Sequence, residues 1–319
     1  MIRLPLSVLS PAGSRGRLSI LIFHRVLAEA DPLFPELPTA GDFERCMRWV
    51  KAWFNLLPLS TAVDRLFSGT IPARALAITF DDGYADNEEI AAPILRRLGM
   101  SATFFVSTGF LGGGCMWNDR IIEAVRRCEL DHLDLRAHGL GSLALRAADA
   151  RRQAIEAILN GIKHHDPARR AAITDAVVAV AGGMPSPALM MQADQVRSLR
   201  KLGMEIGAHT ITHPILTRLE APEARREMAN SKRDLESLLG EPVALFAYPN
   251  GVPTQDYDAT HAALARECGF AAAVSTAWGA ASVRSDRFQL PRFTPWDRTR
   301  LRYGLRLAAN MARTERVAA

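Results

Sequence analysis

Apolar residues along the chain fall into two alternating patterns. Short continuous runs occur at residues 18–24 (Leu-Ser-Ile-Leu-Ile-Phe-His), 75–78 (Ala-Leu-Ala-Ile), 102–108, 204–208, 244–247, 271–276 and 288–293, with a briefer one at 55–59. Runs of this length, bounded by polar or glycine-containing stretches, predict strands buried on both faces. Between them apolar positions recur at helical spacing. Phe43, Met47, Val50 and Phe54 mark a helix over 42–54, with Trp49 and Trp53 as packing residues. A short helix runs through Phe67, and others are predicted over 84–99, 193–203, 222–240, 256–269 and 297–316. Strand alternating with helix predicts one α/β barrel. Residues 27–41, rich in proline and acidic groups, read as a loop, as do 109–118, whose Gly112-Gly113-Gly114 fits no phosphate-binding pattern. Residues 120–187 read as several helices, with His132, His138, His164 and His165 solvated.

With 319 residues, 48% of them apolar, the chain can bury one large core or two modest ones. A net charge of +5, spread without a long basic run, permits an acidic glycan or a phospholipid surface as partner, and no nucleic-acid motif is visible. Cys46, Cys115, Cys128 and Cys268 form no Cys-x-x-Cys pair and read as reduced thiols. No apolar run approaches the ~18 residues of a membrane span. The first twelve residues carry one early Arg3 and an apolar stretch broken by Pro5 and Pro11, unlike a secretion signal. The expectation is a cytoplasmic protein. The basic terminal helix (Arg298, Arg300, Arg302, Arg306, Arg313, Arg316, with Leu301, Leu305 and Met311 as its apolar stripe) either closes the barrel or meets an anionic membrane surface.

Candidate chemistry sits where predicted strands end. Asp81 and Asp82 follow 75–80 and precede the breaker Gly83. Two adjacent carboxylates at a buried strand end are costly unless a metal ion or a shared proton holds them; the plain alternative is Asp82 as a helix N-cap. His209-Thr210-Ile211-Thr212-His213-Pro214 follows another strand-like run. Histidines four apart on one side of a helical turn can reach one ion, with Pro214 stiffening the turn; the alternative is two surface histidines. One Asp and two His make the facial set that leaves coordination positions open. His24 ends the first strand, and barrel closure would bring it to the same face. Trp117 offers a ring to a sugar, and Asn118 or Asp119 a polar contact or a helix cap. Trp278 either lines a substrate pocket or packs.

Residues 79–83 (Thr-Phe-Asp-Asp-Gly) with His209-x-x-x-His213-Pro214 resemble the first two motifs of the polysaccharide deacetylases, carbohydrate esterases of family 4 built on the NodB-type domain. His24-Arg25-Val26 resembles the start of members acting on exopolysaccharides. The resemblance spans about 20–294. It implies a distorted (β/α) barrel of seven or eight strands over 18–296 with a helical insertion at about 120–190, flanked by an N-terminal segment (1–17) and a basic C-terminal helix (297–319). It further implies that Asp82, His209 and His213 hold a divalent metal, zinc by default with cobalt, nickel or iron also suited, and that Asp81 is the general base. Residues 244–251 match the third motif in position, but Ala247 stands where the family has an arginine and Asn250 where it has a tyrosine acting through its backbone N–H. Asn250 retains that N–H. Arg292 stands where the family has its acidic histidine. The expectation is that Arg292 supplies the missing guanidinium to Asp81 and that His24 is the acid. The implied activity is removal of N-acetyl groups from an amino-sugar glycan. The alternatives are an O-acetyl esterase of the same fold and, since two motifs are altered, a catalytically silent glycan-binding domain.

Overall fold

The computed structural model describes residues 3–183, 187–313 and 317–318. The strands are β1 (Leu18–Phe23), β2 (Asn55–Leu56), β3 (Ala75–Phe80), β4 (Thr103–Val106), β5 (His132–Asp134), β6 (Ser142–Ala144), β7 (Glu205–Ala208), β8 (Leu245–Ala247) and β9 (Ala272–Val274). The helices are α1 (Arg3–Leu9), α2 (Ala40–Trp53), α3 (Leu59–Phe67), α4 (Ala92–Arg97), α5 (Trp117–Arg127), α6 (Ala148–Ile162), α7 (Pro167–Val180), α8 (Ala193–Lys201), α9 (Ala221–Leu239), α10 (Ala259–Glu267) and α11 (Arg300–Met311).

Seven strands form one parallel, curled sheet in the order β1-β3-β4-β7-β8-β9, with β2 beside the first half of β3. All six residues of β3 are buried, which is why its sequence is an unbroken apolar run. Its Phe80 stacks between Phe23 and Phe104, with ring centroids 5.4 and 4.8 Å away. This is the distorted (β/α) barrel the motifs imply.

Residues 288–293, expected as the last strand, are not one. Leu290 bridges Val274, donating to Ala273 O (3.0 Å) and accepting from Ser275 N (2.8 Å). Pro291 has no N–H, and Arg292 N–H turns to Ala277 O, so the ladder breaks there. The segment then reaches β1, where Phe293 N–H donates to Ile20 O (2.9 Å) and Thr294 Oγ1 accepts from Ile22 N–H (2.8 Å). The barrel is closed by an irregular stave.

Three further expectations change. The stretch 120–187 contains, besides helices, the antiparallel hairpin β5–β6, with Leu133 inward between exposed His132 and Asp134. Three residues are too few for that alternation to show as a pattern. His132, His138 and His164 are exposed and His165 half-buried. The helix expected over 84–99 widens into a π turn at Asn87–Ala91 ahead of α4, where Pro93 lacks the N–H a regular turn would use. In α11 the buried face is Tyr303, Leu307 and Met311, whereas Leu301 and Leu305 face outward. Arg316 lies outside the described residues. The N-terminal segment is also structured: Leu6 of α1 is fully buried, and Arg17 Nη1 donates to Met311 O. No disulfide joins the cysteines, and no helix among the described residues is long and apolar enough to cross a membrane.

Candidate active site

The end of β3 is held by β1. Thr79 Oγ1 donates to Leu21 O (2.7 Å), and Asp81 N–H continues the ladder to Phe23 O (2.9 Å). Asp82 and Gly83 then both take positive φ, +76° and +90°. A residue in that region is no helix N-cap, which needs extended backbone. The turn instead sends the Asp82 carboxylate toward the end of β7: Oδ1 lies 3.4 Å from His209 Nε2 and 3.3 Å from His213 Nε2.

The two histidines do not share a helical turn. Thr210 and His213 have φ of +64° and +54°, so 209–213 is an irregular loop. Glu227 of α9 shapes it: its Oε2 accepts the N–H groups of Ile211 and Thr212 at 2.8 and 2.9 Å, and its Oε1 accepts Thr212 Oγ1–H. Two backbone donors drawn to one carboxylate leave no helical hydrogen bond for them to make. Asp82, Thr210, His213 and Asn250 are four of the non-glycine residues with positive φ among those described. Backbone strain concentrated in this way is typical of sites where geometry matters more than stability.

The chemistry of the three donors fits a cation. His209 Nδ1 is 2.7 Å from Ala247 O, which assigns a ring proton to Nδ1 and makes Nε2 the donor atom of the neutral ring. Burial lowers the pKa of this ring, but the Asp81 and Asp82 charges outweigh it and raise it. Burial lowers the pKa of His213 to about 4, so its ring is neutral at pH 7. Asp82 Oδ1 is buried and has no hydrogen-bond partner although two ring nitrogens lie beside it. Three possible donor atoms, one from each of Asp82, His209 and His213, lie within 4.8 Å of one another. A divalent ion satisfies that arrangement where protons would not.

Asp81 is turned the other way. Burial alone would raise its pKa, but Arg292 grips both oxygens, Nη1 to Oδ1 at 2.6 Å and Nη2 to Oδ2 at 2.7 Å, and holds the carboxyl below its usual range. Arg292 is itself fully buried and immobilised: Nε donates to Ser275 O (2.9 Å), Nη1 also to Thr79 Oγ1 (3.1 Å), and the guanidinium lies over the Phe105 ring. Ala247 on β8 contributes only its carbonyl, to His209.

A cavity of about 200 Å³ collects His24, Asp81, Asp82, Asn118, His209, His213, Asn250 and Thr276. His24 is exposed here rather than buried, its carbonyl fixed by Asn87 Nδ2–H (2.8 Å). Asn250, at φ +58°, accepts Thr276 Oγ1–H on its carbonyl (2.9 Å), and no acceptor among the described residues takes its N–H. An adjoining cavity of about 250 Å³ shares Asp82, His213, Asn118 and Asn250 and extends to Trp117, Asn160, Lys163 and Arg170 of the insertion. Helix α5 starts at Trp117, with Met116 before it and no side-chain cap. Asp119 is buried instead: burial and the nearby Asp82 charge push its carboxyl up to about 7, and Tyr84 O–H lies 3.1 Å from each oxygen. Trp278 lines neither cavity; it is half-exposed against Phe293 and Trp296. Thr276, Glu227, Asn160, Lys163 and Arg170 carried no signal in the sequence, because packing alone brings them here.

Residues 68–273 match the family model for polysaccharide deacetylase. YxkH of Bacillus subtilis (strain 168), named as a polysaccharide deacetylase, is 22% identical over 279 residues, covering 87% of this chain and 71% of YxkH. Among solved structures, Streptococcus pyogenes deacetylase PplD, in complex with acetate, superimposes with a TM-score of 0.60 at 18% identity, covering 93% of this chain and 99% of PplD. IcaB from Ammonifex degensii gives 0.57 at 18% identity, covering 94% and 97%. Strand-end motifs, curled sheet and family match agree, and the chain belongs to the polysaccharide deacetylase family.

Proposed function

We propose that this protein is a metal-dependent hydrolase that removes N-acetyl groups from an amino-sugar glycan. One observation carries the reading: a buried, unpartnered Asp82 oxygen between two imidazole nitrogens, beside a second carboxylate kept ionised by Arg292. Asp82, His209 and His213 would hold the ion, with zinc the default for this donor set and cobalt, nickel or iron also compatible. When bound, the ion supplies Lewis acidity toward the amide carbonyl and the attacking water. Asp81 takes the proton from that water, its ionised state maintained by Arg292. Asn250 N–H donates to the carbonyl oxygen as negative charge develops on it. His24, the exposed histidine lining the same cavity as the two aspartates, is the residue to which we assign protonation of the departing nitrogen. An O-acetyl ester would meet the same groups, so the linkage is decided by assay. Acetate release across a panel of N- and O-acetylated oligosaccharides tests the reading. N-acetylated substrates should be turned over, with activity and bound metal both lost in Asp82→Ala, His209→Ala and His213→Ala. Full metal occupancy in all three variants would refute the donor assignment. Metal bound with no acetate from any substrate would favour a silent glycan-binding domain.

The outward face of α11 supports one further part of this reading, a peripheral contact with an anionic membrane. Leu301 and Leu305, 61% and 53% exposed, lie one turn apart beside Arg302 and Arg306, and Leu4 and Val8 are exposed on α1, which packs on α11. Exposed leucines flanked by arginines suit the boundary between headgroups and acyl chains.

A further inference from the structure

The cleft contains a cation that the proposed reaction leaves without a task. Arg170 projects from α7 and is only 8% exposed. Its guanidinium lies over the Trp117 ring, 4.9 Å from the centroid, and Nη1 makes one long hydrogen bond to Lys163 O (3.3 Å). No carboxylate among the described residues pairs with it. Six other arginines of the insertion, Arg120, Arg126, Arg127, Arg136, Arg146 and Arg152, each pair with an Asp or Glu. Arg151 gives its guanidinium to the carbonyls of Val125, Arg126 and Cys128, and Arg169, with no acidic partner among the described residues, is exposed. Lys163, which also makes no ion pair among the described residues, lines the same cavity of about 250 Å³ as Arg170, together with Asp82 and His213. A buried guanidinium without a counter-charge is unfavourable on its own. A planar fork of N–H donors beside a lysine is the arrangement that binds a carboxylate or a phosphate.

We propose that Arg170 and Lys163 form an anion subsite, so that the substrate is an acidic glycan: the sugar next to the N-acetylated one bears a carboxylate or a phosphate. The inference rests on the deacetylase reading, since Asp82 and His213 fix where the acetamido group sits. Trp117 holds the guanidinium plane from beneath, and Asn118 and Asn160 remain for hydroxyl groups. A neutral amino-sugar polymer would enter the same cavity and leave the Arg170 charge unpaired.

The test uses the metal-loaded full chain and three defined probes: hyaluronan tetrasaccharide (carboxylate), diacetylchitobiose 1-phosphate (phosphate) and neutral tetra-N-acetylchitotetraose. Acetate release gives kcat/KM, and calorimetry gives affinity independently of turnover. At least one acidic probe should exceed tetra-N-acetylchitotetraose by about tenfold or more in kcat/KM, mostly through KM and falling with salt, as expected for charge-assisted recognition. Which acidic probe wins separates carboxylate from phosphate. In Arg170→Gln the acidic-to-neutral ratio should collapse toward one, and Arg170→Lys should keep part of it, which a packing role would not require. Equal kcat/KM for all three probes, or an unchanged ratio in Arg170→Gln, would overturn the subsite. If no probe releases acetate, the deacetylase reading fails and calorimetry alone decides. Tighter binding of an acidic probe, lost in Arg170→Gln, sustains the subsite, and equal binding removes it.

Discussion

At the scale of single residues, the two neighbouring aspartates are separated in role by what each faces. Asp82 meets two imidazole nitrogens and Asp81 meets a guanidinium. If Asp81 is the base, Asp81→Asn should keep the metal and lose turnover by about 10²–10⁴-fold, the usual cost of removing a general base; metal analysis beside acetate release checks both halves. Arg292 then acts through Asp81 and not on substrate. Asp81 has a depressed folded pKa, so activity that needs its ionised form is present at neutral pH and falls as pH drops through that depressed value. Replacing Arg292 with Lys loosens the bidentate grip and should move the acidic limb of the kcat/KM profile upward; an unmoved limb would remove Arg292 from the site's electrostatics. Arg292→Leu goes further, leaving a buried carboxylate unpaired, and should lower stability by about 3–5 kcal/mol in denaturant titrations. The cluster of Asp82, His209 and His213 was legible in the sequence because each motif is a local group directly after a strand. The Arg292–Asp81 contact was legible only indirectly: Ala247 left a charge unaccounted for, and Arg292 was the guanidinium at a comparable strand end.

At the scale of elements, the site depends on loops that secondary-structure periodicity does not describe. The histidine pair looked helical because a spacing of four is helical, yet Glu227 diverts two backbone N–H groups and the loop runs through left-handed residues. Glu227 lies on the charged face expected of an outer helix, and nothing in its neighbours distinguishes it from the other glutamates of α9. The same holds for β5–β6, too short to display alternation, and for 288–293, where Pro291 turns an apolar run into an irregular stave. Elements with several turns or a fully buried strand were readable; those fixed by one distant side chain were not. Glu227 offers a direct check. Glu227→Ala frees the Ile211 and Thr212 N–H groups and should weaken metal affinity by about 10–100-fold, as loss of groups orienting metal ligands does, with a smaller loss in kcat at saturating metal. Competition with a chelating dye gives the affinity, and wild-type affinity in this variant would mean that β7 and Pro214 hold the loop unaided.

At the scale of the molecule, barrel closure also sets what the surface presents. The irregular stave leads into α11, which buries Tyr303, Leu307 and Met311 and packs on α1 and on Trp49 of α2. The same turn of chain commits the opposite face, Leu301 and Leu305, to solvent. Trp278 and Trp296 are also partly exposed, their rings 5.8 Å apart at centroids, with Arg313 over the first and Arg306 over the second. Aromatic rings with arginines above them, beside outward leucines, combine the groups that favour a membrane interface, and an overall +5 charge adds long-range attraction to anionic lipid. If that contact forms, the protein should sediment with vesicles containing phosphatidylglycerol and much less with phosphatidylcholine alone, and added salt should release it. Leu301→Asp with Leu305→Asp should abolish sedimentation while acetate release from a water-soluble oligosaccharide stays at the wild-type rate, because neither leucine lines the cavities that hold the metal donors. Sedimentation unchanged by the double substitution, or equal on neutral and anionic vesicles, would assign α11 to barrel closure alone.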